Sequence, residues 1–540
     1  MKNIKYIAII ALGLVACEPE LDNSVEDASF YSAGTADFST FVSVGNSLTA
    51  GYADDALYLD GQKHSYPNIL ADRFSHVDGG AFTQPLVSDN IGGLMLGGSP
   101  IADTRLVLSG DPLVLTNLVP PTDNLAQPST TDPTNVLVGP FNNVSAPGAK
   151  SFHLLSDVYG EASGILDGTA NPYFVRMASS PSATMLGDAV AQNPTFFSLW
   201  IGNNDILSFA TSGGVGVDQL GNLNPTTYGG NDITDPTLFH GTYDALLNGL
   251  TANGAKGVVM NLPSVTSIPY FTTVPYAPLD PTNPDFGPQI PTLNGIFSQL
   301  NGVYAYLGVP ERSIVFSETS ASAVVIIDEN LVDLSAQITA VFLGSPAFVP
   351  FVESLGLPAA AAPLVANLLG TTYGQSRQAN ANDLLVLPSS SIIGTINQDV
   401  ADGLEAQGLP AAMATQFASE GITLPLEDKW VLTANELTMI TNAQTAYNNS
   451  ISMLAAAKEN VILVDVKAAM EQLSIGGLSS NGVTITGEYA TGGGFSLDGV
   501  HPTARGYAFI SNIILKRINE EFNATIPETN TGNYPTVYID

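Results

Sequence analysis

The sequence predicts an α/β fold: a parallel sheet covered by helices on both faces, forming three α/β/α layers, with a mainly helical insertion. Three observations predict it. Apolar, β-rich runs occur at residues 41–44, 195–200, 257–261 and 460–466. Each ends in a polar or glycine-containing turn, and most of these turns lead into a helical stretch. Such alternation implies parallel strands joined by helical crossovers. The composition is globular, with 45% hydrophobic and 8% aromatic residues, which is too apolar for a disordered chain.

The N-terminus comes first. Lys2 and Lys5 precede an apolar stretch from Ile7 to Val15, and small Ala16 precedes Cys17. This is the pattern of a secretory signal peptide over residues 1–16, too short to span a bilayer as a helix. Leu14-Val15-Ala16-Cys17 resembles a bacterial lipobox, a signal cut before its cysteine, which is then acylated. The alternative is an ordinary signal peptide with an incidental cysteine. Cys17 is the only cysteine, so no intramolecular disulfide forms. Residues 17–37 are acidic and small, and are predicted to be a flexible tether. Glu18, Glu20 and Asp22 resemble the tethers of surface-exposed lipoproteins in Bacteroidota. That resemblance implies an exported protein, lipid-anchored to the cell envelope at the outer membrane.

The globular part is expected over residues 38–525. Residues 76–143 are rich in Gly, Pro, Asn and Asp and are expected to form long loops. Residues 275–430 break the alternation. They open on a Pro-rich segment and then carry an apolar helical stretch from Ala336 to Leu369, punctuated by Pro346, Pro350, Pro358 and Pro363. It is interrupted too often to cross a bilayer as one helix. A segment this long is expected to be a cap beside the site or a passive insertion on the core. Residues 435–457 read as a helix feeding the last strand, Ala504–Phe522 as the final helix, and 526–540 as a C-terminal tail.

The 540-residue chain carries 50 acidic and 16 basic residues, for a net charge of −34. Such a polyanion is repelled by nucleic acid and by anionic lipid. Signal cleavage, by removing Lys2 and Lys5, makes it more negative still.

Ser47 is the candidate nucleophile. It stands in Val44-Gly45-Asn46-Ser47-Leu48-Thr49-Ala50-Gly51, where an apolar run stops at a glycine and a serine follows. A strand delivers a nucleophile to the carboxyl edge of a sheet in this way. The alternative is a helix N-cap, a common use of serine. His501 is the candidate base. Of five histidines it alone lies in a dense turn, Phe495-Ser496-Leu497-Asp498-Gly499-Val500-His501-Pro502-Thr503. Asp498, three residues earlier, is close enough to orient the ring. A structural Asp-containing turn is the alternative. Asn204, in Gly202-Asn203-Asn204-Asp205, follows a strand, where a side-chain amide can donate to an oxyanion. Gly148 lies in Ser145-Ala146-Pro147-Gly148-Ala149, where a residue without Cβ lets its N–H approach a substrate. Both also read as plain turns.

Together these segments resemble the SGNH (GDSL-type) hydrolase family. Gly45-Asn46-Ser47-Leu48 matches the first block of that family, Gly148 the second, Gly202-x-Asn204-Asp205 the third and Asp498-x-x-His501 the last, in the family's order. The resemblance covers roughly residues 40–520 and leaves 275–430 without a family motif. It implies a flavodoxin-like α/β/α fold and a serine ester hydrolase; the apolar insertion favours acyl chains and hence a lipase or esterase, with a carbohydrate O-acetylesterase using the same site as the alternative. Ser47 would attack the acyl carbon, with His501 as base and Asp498 supporting it. The Ser47 and Gly148 amides and the Asn204 side chain would form the oxyanion hole. No metal or cofactor is implied. The implied partners are an ester substrate (an acyl lipid or an acylated glycan) and the membrane, through Cys17. Asn46 departs from the family's usual Asp; it removes a charge but keeps an acceptor. Asn203 is an alternative to Asn204 as the donor. A silent ligand-binding lipoprotein and a purely structural surface protein are the readings from other classes.

Overall fold

The computed structural model describes residues 30–118 and 129–537. The signal peptide, Cys17 and the tether as far as residue 29 lie outside the described residues.

Five parallel strands form the central sheet: β1 (Phe41–Gly45), β2 (Asn143–Ser145), β3 (Phe196–Trp200), β4 (Lys256–Met260) and β5 (Val461–Val464), in the order β2-β1-β3-β4-β5. β1 and β3 are buried along their whole length, as strands covered on both faces must be. The sequence runs anticipated β1, β3, β4 and β5. They missed β2, which is only three residues long and whose one apolar member is Val144.

The principal helices around the sheet are α1 (Ser47–Ala50), α2 (Tyr66–Phe74), α3 (Asn204–Thr211), α4 (Pro236–Thr251), α5 (Ala434–Ala456) and α6 (Ala504–Phe522). α2 packs against α6, and α4 against α5. Phe196 of β3 touches Phe74 of α2 and Phe522 of α6. On α4 and α5, Phe239 stacks on Tyr447 at 4.1 Å. The arrangement is compatible with three layers. Ser43 and Ser198, paired in register at the sheet centre, hydrogen-bond each other at 2.5 Å and lie 3.4 Å from the Tyr66 hydroxyl. These buried polar groups are thus satisfied internally.

Residues 76–143 are not all loop. Two antiparallel hairpins stand there, Leu94–Leu96 with Ser99–Ala102 and Leu106–Ser109 with Val114–Asn117. Their strands are three or four residues long and, apart from Leu94 and Val107, half-buried or exposed, so they carry no alternating apolar signature to read. Residues 275–430 hold a second hydrophobic cluster of their own, with Phe297, Tyr304, Phe342, Leu369 and Tyr373 at its centre. The expected apolar stretch becomes three helices, Ser335–Gly344, Phe348–Ser354 and Ala362–Tyr373. The breaks fall at Pro346 and Pro358, as proline's missing N–H requires. The first two helices are bent by 92° from each other, and no single helix among the described residues is long and apolar enough to cross a membrane. Short strands accompany these helices, Val325–Ile327 with Ser376–Gln378 among them. Arg377 bridges Asp328 and Asp383 across this unit at 2.8 and 2.6 Å.

Both chain ends depart from expectation. Residues 30–37 do not form a free tether: Thr35 N–H donates to Phe522 O at 2.8 Å and Thr525 N–H to Ser32 O at 2.8 Å. Nor are residues 526–537 a loose tail. Ile526 is buried, Thr529 N–H donates to Asn512 Oδ1 at 2.9 Å, and Arg505 N–H to Pro535 O at 3.0 Å. Backbone and side-chain bonds dock these small, polar segments, and composition does not register such bonds.

Candidate active site

Ser47 opens α1, directly beyond the carboxyl end of β1. The turn is tight: a Cβ on Gly45 would lie 2.5 Å from Trp200 O and 2.1 Å from Thr49 Oγ1, so only glycine fits. Asn46, not Ser47, caps the helix. Its Oδ1 accepts from Leu48 N–H at 3.1 Å, the bond an Asp would make there. The serine hydroxyl is therefore free of the cap. Asn46 Nδ2 donates to Asn203 Oδ1 at 3.3 Å, tying the turn after β1 to the turn after β3.

His501 arrives on the turn before α6, 454 residues from Ser47. Its Nε2 lies 2.9 Å from Ser47 Oγ, and its Nδ1 lies 2.9 Å from Asp498 Oδ2. Asp498 Oδ1 accepts from the backbone N–H of Val500 and of His501, both at 2.8 Å. Its Oδ2 also accepts from Asp55 N–H at 3.0 Å. Burial alone would raise this carboxyl's pKa. The His501 charge and the bonds from His501 and Val500 outweigh it and hold the group below its ordinary value. Asp498 is thus an ionised acceptor at neutral pH. His501 Nδ1 must be the donor, which leaves the Nε2 lone pair facing the Ser47 hydroxyl.

Asn204 opens α3, and its Nδ2 donates to Ala149 O at 3.0 Å. The turn holding Gly148 is thereby joined to the asparagine. Asp205, fully buried, accepts from Ser151 N–H at 2.8 Å and from its Oγ at 2.7 Å, fixing the same loop. Gly148 is exposed, with φ +80, and a Cβ there would meet nothing within 4 Å. Glycine is needed there for its backbone conformation, not to relieve crowding within the chain. Asn203 and Asn204 both line a cavity of about 60 Å³ together with Ser47 and His501. Its other walls are apolar: Leu48, Ile206, Leu207, Leu262, Val265 and Met470 among them. None of its lining residues comes from 275–430.

Sequence reasoning missed the clamp that holds the His501 turn. Asp54 and Asp55 both adopt positive φ, at 53° and 60°, a costly conformation for residues other than glycine. Asp54 Oδ1 accepts from Leu497 N–H at 3.0 Å, its Oδ2 from the Tyr58 hydroxyl at 2.8 Å, and its own N–H donates to Ser496 Oγ at 2.9 Å. No sequence signal could have shown the bonds to Ser496 and Leu497, because those partners lie more than four hundred residues from Asp54. Tyr52 adds its ring, 4.8 Å from that of His501. Among the described residues no group of three or more His, Cys, Asp or Glu is placed to hold a metal ion. No family model, curated protein or solved structure matches this chain.

Proposed function

We propose that this chain is a serine carboxylic ester hydrolase of the SGNH type, on a flavodoxin-like three-layer domain, lipid-anchored to the cell envelope through Cys17. The observation that carries the reading is the hydrogen-bonded series Ser47 Oγ, His501 Nε2, His501 Nδ1 and Asp498 Oδ2, with both links at 2.9 Å. Position supports it. The strand order 2-1-3-4-5 is that of flavodoxin-like sheets, in which ligands bind beyond the carboxyl ends at the point where the order reverses. Ser47 follows β1 and Asn204 follows β3, the two strands flanking that point.

The chemistry then runs in two halves. Ser47 Oγ attacks the acyl carbon as His501 Nε2 takes its proton. His501 returns that proton to the departing alcohol and leaves an acyl group on Ser47. Water, deprotonated by His501, releases the acid and restores the serine. The Ser47 and Gly148 amides and the Asn204 side chain are the donors proposed for the oxyanion. Asp498 keeps the ring in its working tautomer.

The test is hydrolysis of p-nitrophenyl esters of graded chain length by the chain lacking residues 1–17, beside its Ser47→Ala variant. Turnover should vanish in a variant that keeps its fold by circular dichroism. A folded Ser47→Ala chain with undiminished turnover removes the nucleophile assignment. No turnover by the parent on any ester favours a silent binding lipoprotein.

A further inference from the structure

Two cavities of different character flank one short helix, Pro269–Thr272. Ile268, just before it, lines the small apolar cavity beside Ser47; Thr273, just after it, lines a groove of about 840 Å³. The groove is cut into the 275–430 unit, and its far walls come from residues 390–396 and 412–423. It lies near the catalytic turn. Tyr270 N–H donates to Gly499 O at 2.9 Å, and Leu387 packs on Gly499, two residues from His501. Thr273 and Ser390, on the groove wall, are each three residues from those contacts. At helical rises of about 1.5–2 Å per residue this is a separation of ~5–6 Å.

The lining chemistry differs from that beside Ser47. Asn283, Asp285, Thr415, Gln416 and Ser419 line this space, and among the described residues Asn283 Nδ2, the Asp285 carboxylate, the Gln416 amide and the Thr415 and Ser419 hydroxyls make no hydrogen bond within the chain. Pro275 and Pro278 supply flat apolar faces, and no Lys or Arg lines it. An acyl chain laid here would strip water from those polar groups and return nothing, at ~1–3 kcal/mol each. An anionic ligand would meet Asp280 and Asp285 with no countercharge. A neutral polyhydroxylated ligand satisfies donors, acceptors and apolar faces together. The size, within the ~300–1,000 Å³ of small-molecule clefts, admits one. The 60 Å³ cavity is small beside the ~150 Å³ of an engineered cavity that takes benzene, so it suits an acyl group of few carbons.

Resting on the hydrolase reading, we propose that the groove binds the alcohol side of the substrate, and that this alcohol is a neutral oligosaccharide carrying a short O-acyl group. The reaction breaks the acyl–oxygen bond. The acyl group passes to Ser47 and then to water as the acid, and the sugar hydroxyl regains a proton from His501.

The experiment compares singly O-acetylated cello-, xylo- and mannotetraose with p-nitrophenyl acetate. The variants are Thr415→Trp, which fills the groove, and Asn283→Ala/Gln416→Ala, which removes two of its partners. For the preferred oligosaccharide, each variant should raise KM about tenfold or more, as loss of one or two hydrogen bonds predicts. The kcat for p-nitrophenyl acetate should stay within about twofold. Equal effects on both substrates, or none on either, overturn the proposal. So does a selective loss on long-chain p-nitrophenyl esters, which would place an acyl chain in the groove. Calorimetric titration of the unacetylated tetraoses keeps the two readings separate. Binding to the parent that Thr415→Trp abolishes supports the groove even if no ester is hydrolysed. Turnover of p-nitrophenyl acetate without tetraose binding or tetraose-ester turnover keeps the hydrolase and sinks the groove assignment.

Discussion

Asp498 has no acceptor capacity to spare. Its two oxygens take four N–H groups, from the backbone of Asp55, Val500 and His501 and from the His501 ring. Asparagine there cannot accept on both atoms. Its amide would donate to the ring, turning Nε2 into the protonated nitrogen and leaving Ser47 without a base. Asp498→Asn should therefore lower kcat by on the order of 10⁴ with the fold retained. A loss below tenfold in p-nitrophenyl ester turnover would detach Asp498 from the series.

Asp54 behaves in the opposite way. Burial, and after it the repulsion of Asp498, raises its pKa from 3.8 to about 6, against the bonds from Leu497 and Tyr58. The folded chain therefore holds this proton more tightly than the unfolded one. The associated stability is fully present below pH 3.8 and is lost as pH rises through about 6. The shift corresponds to ~3 kcal/mol. Asp54→Asn keeps an acceptor for Leu497 N–H but cannot ionise. Its urea-unfolding free energy should fall less than the parent's between pH 4 and 7. Parallel curves for the two chains would refute the linkage.

At the scale of elements, α1 shows how Asn46 caps the helix where the SGNH family that the sequence resembles usually has Asp. The cap needs an oxygen that accepts from Leu48 N–H, and the amide supplies one. Its Nδ2 also reaches Asn203, which a carboxylate could not do as a donor. Asn46→Ala should cost about 1 kcal/mol of stability, as lost caps do. It should also slow turnover, because the turn carrying Ser47 loses its tie to the turn after β3. Thermal unfolding and ester kinetics on one preparation check both effects. The same elements show what was legible. β1, β3, β4 and β5 announce themselves because strands buried on both faces are apolar throughout. β2 has three residues and one apolar side chain, so its membership rests on pairing with β1. Ser47, Asp498 and His501 could be singled out as candidates because, of the five histidines, only His501 lies in a dense turn. The Asp54–Asp55 clamp was not, because its meaning lies in bonds to residues 496–498.

At the scale of the whole molecule, the two large hydrophobic clusters among the described residues divide the work. The first packs the sheet and its helices, and its carboxyl edge holds the candidate catalytic groups. The second belongs to the insertion, whose apolar helices read from sequence as either a cap beside the site or a passive insertion on the core. Its internal strands and ion-paired Arg377 did not show, since short strands and distant charge partners leave no period. The docked residues 30–37 and 526–537 correct the sequence reading most sharply. Small polar residues read as free chain, yet these hydrogen-bond to α6 at Arg505, Asn512 and Phe522.

The proposed nucleophile stands just beyond the first strand of the sheet and its proposed base on the turn before α6, 454 residues on. A chain made from its N-terminus therefore presents a serine long before it has anything to deprotonate it. On the proposed roles, the growing polypeptide is chemically inert toward esters. Any product cut short before residue 501 stays silent however well its early strands fold. Ester turnover, if the proposed function holds, would thus report chain completion as much as catalysis.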